Sequence, residues 1–203
     1  MWLCLLTAAF VLIPSTSAGQ DIRGFQGWSL TAGGDGLRFG PTARNRTAPE
    51  QSAADLRPSG RAGVRATLAK SLGAWRLQLE AGLARGSAEV TNSVVAVRDK
   101  TLDLSRYRLS PALERRAAGL GPGELAVALA PTLDLWRAGG NNRFRLGVEC
   151  RVAVRVPLGS LALENRVSLG LSGAPLERED LGDGFELRGL RSLAVGVALL
   201  LPL

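Results

Sequence analysis

The chain has 203 residues, 46% of them hydrophobic, a formal charge of +7 and no histidine. That length fits one domain, and the hydrophobic fraction excludes a disordered chain. The absent histidine removes Ser-His-Asp, Cys-His and His-zinc chemistry, and with them the commonest general base at neutral pH.

The first element reads as a targeting segment. Trp2 to Ile13 is an uncharged apolar run, too short to cross a bilayer as a helix. Thr16 and Ala18 put small residues at the two positions a signal peptidase reads, before Gly19. Residues 1–18 are therefore expected to be a secretory signal peptide and 19–203 the mature domain. No Lys or Arg precedes the apolar run, which a wrongly assigned start site would explain. Cleavage would remove Cys4 and leave Cys150 without an intramolecular partner. Lysine occurs only at positions 70 and 100, so arginine carries most of the charge. The basic residues are spread along the chain and alternate with apolar ones. Without a cluster or stripe, and with export, nucleic acid is not an expected partner.

Downstream, apolar residues recur at every second position, the period of a strand with one apolar face. Trp28, Leu30 and Ala32 open the first strand. Val64, Ala66, Leu68 and Leu72 form the second, and Trp75, Leu77, Leu79, Ala81 and Leu83 the third. Gly73-Ala74 between them suits a type II′ hairpin turn and sets Leu72 opposite Trp75, Leu68 opposite Leu79 and Thr67 opposite Glu80. Lys70 falls on the apolar face near that turn, where its ammonium can snorkel to water. A fourth strand covers 102–115, with Tyr107, Leu109, Pro111 and Leu113 on one face. Leu102 and Leu104 are out of phase with these, which predicts a bulge near residue 105. Leu125, Val127, Leu129, Pro131, Leu133 and Leu135 mark a fifth strand.

Residues 143–156 alternate most strictly. Phe144, Leu146, Val148, Cys150, Val152, Val154 and Val156 interleave with Arg143, Arg145, Gly147, Glu149, Arg151, Ala153 and Arg155. Leu161, Leu163, Val167, Leu169 and Leu171 continue in a seventh strand. A turn at Leu158-Gly159 sets Val156 opposite Leu161 and Cys150 opposite Val167, with Glu164 diagonally between Arg151 and Arg155. Leu193, Val195, Val197, Leu199, Leu201 and Leu203 form the eighth strand. Pro111, Pro131 and Pro202 are expected to interrupt pairing, since proline donates no ladder bond.

The connections after the second, fourth and sixth strands are short: Gly73-Ala74, Ala117 to Gly123, and Leu158-Gly159. Those after the first, third and seventh are long and polar, at roughly 34–60, 86–101 and 174–186. The link after the fifth, Ala138 to Asn142, is brief. Short turns at one end and long loops at the other, on strands of about 9–11 residues, describe an all-β fold: an eight-stranded antiparallel up-and-down transmembrane β-barrel. A soluble periplasmic ligand-binding barrel, apolar face inward, also fits alternation. The apolar faces are nearly free of polar residues, and the other face mixes opposite charges with Gly, Ala and Ser. Both features favour the membrane form.

The signal segment, the eight amphipathic strands and the ending Ser192-Leu193-Ala194-Val195-Gly196-Val197-Ala198-Leu199 resemble the small eight-stranded outer-membrane barrels of Gram-negative bacteria, the OmpX/OmpA-like group. The chain departs from that group in ending Pro202-Leu203 where an aromatic is usual, and in its aromatic content of 5%. The resemblance implies an outer-membrane location, insertion by the outer-membrane assembly machinery and contact with membrane lipid. Trp28, Trp75, Tyr107, Trp136, Phe144 and Phe185 are the candidate interface aromatics. An interior of this size is filled by its own side chains. The candidate interior charge network comprises Arg65, Arg76, Glu80, Glu114, Asp134, Arg145, Glu149, Arg151, Arg155, Glu164 and Arg166, with Arg108 and Glu124 beside them. Barrel enzymes of similar families rely on a site histidine, so catalytic residues, metal and cofactor are all expected to be none. Glu177 and Asp180 form a carboxylate pair on a loop without an evident scaffold. The expected role is structural, or a surface interaction with a ligand through the loops. A small porin-like pore or lipophilic-ligand conduit is the alternative.

Overall fold

The computed structural model describes residues 27–45, 54–60, 62–91, 96–138, 140–181 and 184–203. The expected signal segment, 1–18, lies outside them. The strands are β1 (Trp28–Phe39), β2 (Ala43–Asn45), β3 (Asp55–Pro58), β4 (Ala62–Leu72), β5 (Trp75–Thr91), β6 (Ala96–Leu120), β7 (Gly123–Ala138), β8 (Asn141–Leu158), β9 (Leu161–Ser172), β10 (Phe185–Leu187) and β11 (Leu190–Pro202). Eight of them close a ring in the order β1-β4-β5-β6-β7-β8-β9-β11, and β11 pairs back onto β1. Every neighbouring pair is antiparallel. Closure leaves no strand edge unpaired along the wall, which is what a sheet needs in lipid.

The alternation sorts side chains across that wall. In β8, Phe144 and Leu146 point outward at 64% and 78% exposure, while Glu149, Arg151 and Arg155 are buried inside. Val64, Leu77, Leu169 and Val195 repeat the outward pattern around the ring. Apolar outside and charged inside is the reverse of a soluble barrel, so the soluble periplasmic alternative is set aside. The outer wall is a lipid-facing belt, and the fold is a transmembrane barrel.

The β4–β5 hairpin has the expected register, with Leu72 opposite Trp75 and Thr67 opposite Glu80. Four expectations need correction. The β8–β9 turn is Gly159-Ser160, which pairs Val156 with Leu163 and Cys150 with Leu169. Gly159 opens it at φ 66°, a left-handed conformation that Leu158 would adopt only with strain. Next, β6 runs on to Leu120, so its link to β7 is just Gly121-Pro122. Third, the irregularity expected near residue 105 lies beyond it: Ser87 pairs with Asp103 and Ala88 with Asp99, leaving 100–102 as the excess. Pairing also shifts near Ala117. Fourth, two presumed loops are partly strand. Residues 34–39 belong to β1, and β5 and β6 reach Thr91 and Ala96.

The glycine-rich run in β1 has a packing reason. A Cβ on Gly33 would come within 2.3 Å of the Val197 carbonyl oxygen on β11. The barrel seam closes where β1 carries no side chain. Pro111 and Pro131 come opposite each other and the β6–β7 ladder lapses between Leu109 and Leu113. The Ser110 hydroxyl donates to the Pro131 carbonyl at 3.1 Å and tethers the two strands there.

At the loop end, β5 outlasts the ring and becomes a template. Its residues Ala88–Thr91 pair with β3, β3 pairs with β2, and β2 pairs with β10. These short strands and the helical turn Arg178–Asp180 make a cap over the barrel mouth.

Candidate functional site

The lumen is the first candidate. Eight arginines (Arg65, Arg76, Arg106, Arg108, Arg116, Arg151, Arg155, Arg166) face seven carboxylates (Asp35, Glu80, Glu114, Glu124, Asp134, Glu149, Glu164) in one connected set. The set is thus close to neutral, with one positive charge in excess that the half-exposed Arg116 carries at the turn end, and most of the surplus positive charge lies elsewhere.

At the turn end, Arg155 is the hub. It donates to Glu114 at 2.6 Å, to Glu124 at 2.9 Å and to Glu164 at 2.9 Å. Gln78 donates to Glu114 at 2.8 Å, and Arg76 reaches Ser29 and lies 4.0 Å from Glu114. At mid-depth, Glu80 accepts from Arg151 at 3.1 Å, from Arg166 and from Thr67. Arg151 also holds Glu149 at 2.7 Å and Ser110 at 2.9 Å. Arg65 spans Asp35 and Glu164. Nearer the loops, Arg108 bonds Asp134 at 2.9 Å and Glu149, and Arg106 bonds Asp134 at 2.6 Å. The gaps between them are small: about 10 Å³ beside Thr31, Thr67 and Gln78, about 30 Å³ at the turn end beside Arg76 and Arg155, and about 40 Å³ beside Asp35, Arg65 and Arg108. A network with this little space between members ties the strands of the wall to one another across the lumen.

The structure places ten of the eleven expected network residues in this set. Arg145 stands apart at the rim, where it donates to the Ala174 carbonyl at 2.5 Å and to Glu177 at 2.9 Å. Arg143 beside it donates to Asp180 at 2.6 Å. The Asp180 carboxylate accepts the Glu177 backbone N–H at 2.7 Å. The Glu177–Asp180 pair is thus scaffolded by two arginines, contrary to the expectation of a bare loop. Asp35, Arg106 and Arg116 were not expected in the network. Asp35 sits in the glycine run that reads as loop. Arg106 shares the parity of Arg108, and that signal was present in the sequence.

Above the ion pairs, the interior turns apolar. Phe39, Leu56, Leu104, Trp136, Leu176 and Leu190 form a buried cluster with Ala43, Ala88 and Ala138. Trp136, expected as an interface aromatic, is 2% exposed and faces inward. Its ring meets Phe39 edge-on at 5.8 Å, and the Arg106 guanidinium lies over both rings, at 5.3 Å and 5.6 Å. Its parity explains this: Leu133 and Leu135 point out, so Trp136 follows Asp134 inward. Phe185 packs onto the same cluster from β10 and also faces no lipid. Trp28, Trp75, Tyr107 and Phe144 are exposed on the outer wall. The Lys70 ammonium lies 5.4 Å from the Trp28 ring, and the Arg115 guanidinium 5.6 Å from that of Trp75. These pairs mark the turn-end rim of the belt.

The outer wall changes character at the level of the apolar cluster. On β1, Arg38 points out and Phe39 in; on β7, Arg137 out and Trp136 in; on β11, Arg191 out and Leu190 in. Arg85 of β5 also points out, one outward step beyond Leu83. The polarity of the wall inverts there within one or two residues.

No family model and no curated protein matches the sequence. Among solved structures, the fold is similar to that of Neisserial surface protein A (NspA), with a TM-score of 0.56 at 11% identity, covering 88% of this chain and 98% of that one. Ail, the attachment invasion locus protein of Yersinia pestis, aligns over 87% of this chain and 99% of its own at 12% identity, with a TM-score of 0.41. The architecture is that of the eight-stranded outer-membrane barrels.

Proposed function

We propose that this chain is an integral outer-membrane protein that acts through its loop-end cap, in a structural or surface-interaction role, without catalysis or conduction. Its apolar belt meets membrane lipid, and insertion falls to the outer-membrane assembly machinery. The observation that carries this reading is the double closure of the lumen. Paired charges fill its length and the Phe39–Trp136 cluster stops its mouth. A conduit for ions or lipophilic ligands needs space that these side chains occupy. What remains for a partner is the cap, where β2, β3, β10 and the helical turn stand clear of the belt.

Recording from the refolded chain in planar bilayers tests this. A silent baseline is the expected result. Regular conductance steps would move the assignment to a pore. In intact cells, externally added protease should cut the cap and spare the turn-end hairpins.

A further inference from the structure

Outward arginines crown the belt at its loop end. Arg38, Arg85, Arg137 and Arg191 are all exposed, and each follows the last outward apolar or glycine position of its strand. Among the described residues, none of the four takes part in the ion pairs of the lumen or the cap. They form two groups on opposite walls. Arg38 and Arg191 stand on the adjacent strands β1 and β11, diagonal across the register that pairs Phe39 with Ser192. Arg85 and Arg137 flank β6, both paired in register with Ser105. Asp103 lies one outward step further along β6, opposite Ser87. Among the described residues, no ion pair neutralises these four cations. At the opposite rim the outward cations, Lys70 and Arg115, lie over tryptophan rings instead.

We propose that these four arginines bind the phosphate groups of lipid head groups in the leaflet that surrounds the loop end. Their place decides the occupant. They sit where the belt meets the head-group layer, their stems continue the apolar wall, and a guanidinium matches a phosphate in a bidentate fork. A soluble acidic protein would have to approach through that layer to reach them. The proposal is independent of what binds the cap, and it holds whether or not the lumen conducts.

The test uses the full refolded chain in neutral detergent micelles, with native mass spectrometry of retained lipid. The probes are a diphosphorylated glycolipid and the same lipid after phosphatase treatment. Wild type should retain the phosphorylated lipid in clear preference. Each arginine contributes about fivefold, as basic residues near charged head groups do. Arg38→Gln with Arg191→Gln should therefore lose about 25-fold, and the four Arg→Lys changes together should keep part of the preference. Heat-dependent gel mobility checks that each variant is folded. Equal retention of the two lipids by wild type would overturn the proposal without any variant. So would displacement of the lipid by equimolar inorganic phosphate or polyglutamate, which would assign the arginines to free anions or an acidic macromolecule.

Discussion

The lumen and the cap enclose the same barrel interior with opposite chemistry. Along the lower wall the inside is arginine and carboxylate, with Asp35 on β1 joined through Arg65 to Glu164 on β9. Beneath β2, β3 and β10 it is Phe39, Leu104, Trp136 and Leu190. The difference follows from what lies outside. Where the outer wall faces hydrocarbon, the outward positions must be apolar, and the inward ones take whatever polar residues can satisfy one another. Where the wall emerges, the outward positions become arginine and the interior is free to build an ordinary apolar core. The level at which β1, β7 and β11 exchange these roles marks the edge of the membrane.

That contrast can be broken from either side, and the lumen should give the larger response. Glu164→Ala leaves Arg155 and Arg65, which hold it at 2.9 Å and 3.2 Å, each one carboxylate short in a buried network. Losing one partner of a buried pair destabilises by about 3–5 kcal/mol. Denaturant unfolding from lipid vesicles should show the midpoint fall accordingly, and an unchanged midpoint would mean the lumen is hydrated enough to screen the pair. Leu56→Ala, in β3, removes one apolar side chain from the cap cluster. It should destabilise by about 2 kcal/mol, at the low end for such truncations because the site is close to the surface. The loss should be local: protease cuts the cap faster while heat-dependent gel mobility stays that of a folded barrel. Loss of the mobility shift would show that cap and barrel unfold as one unit. Gly159→Ala forces a side chain onto φ 66° and should lower stability by about 1–2 kcal/mol, through the β8–β9 hairpin alone. Arg57→Ala breaks the cap's Arg57–Glu89 pair, 3.3 Å apart and partly open to water. It should change the midpoint by less than about 1 kcal/mol, which sets the scale for an ion pair outside the lumen.

Alternation made the transmembrane strands legible, because a period of two says directly which residues share a face. The β4–β5 register followed from one turn, Gly73-Ala74, whose residues permit few alternatives. The β8–β9 turn was misplaced by one residue because Pro157-Leu158-Gly159-Ser160 offers two frames and only the positive φ of Gly159 chooses between them. The end of β1 was hidden for a different reason. Gly33, Gly34 and Gly36 have no side chains to alternate, so a strand there looks like a loop, and Asp35 went with it. Strands of three or four residues, such as β2, β3 and β10, are too short to show a period at all. Their pairing comes from the overhang of β5, a feature of three-dimensional registry. Trp136 was misassigned by residue type although its parity pointed inward.

The inversion of the wall can be measured along β11. In a background carrying Cys4→Ser and Cys150→Ser, spin labels are placed singly at Leu190→Cys, Arg191→Cys, Leu193→Cys, Ala194→Cys and Val195→Cys, and the protein is refolded into vesicles. Labels at 193 and 195 should be relaxed by lipid-dissolved oxygen, and the label at 191 by a water-soluble nickel chelate. Those at 190 and 194 should be shielded from both. Nickel access at 193 and 195, with oxygen access at 194, would reverse the wall and contradict a lipid-facing belt around a charged lumen.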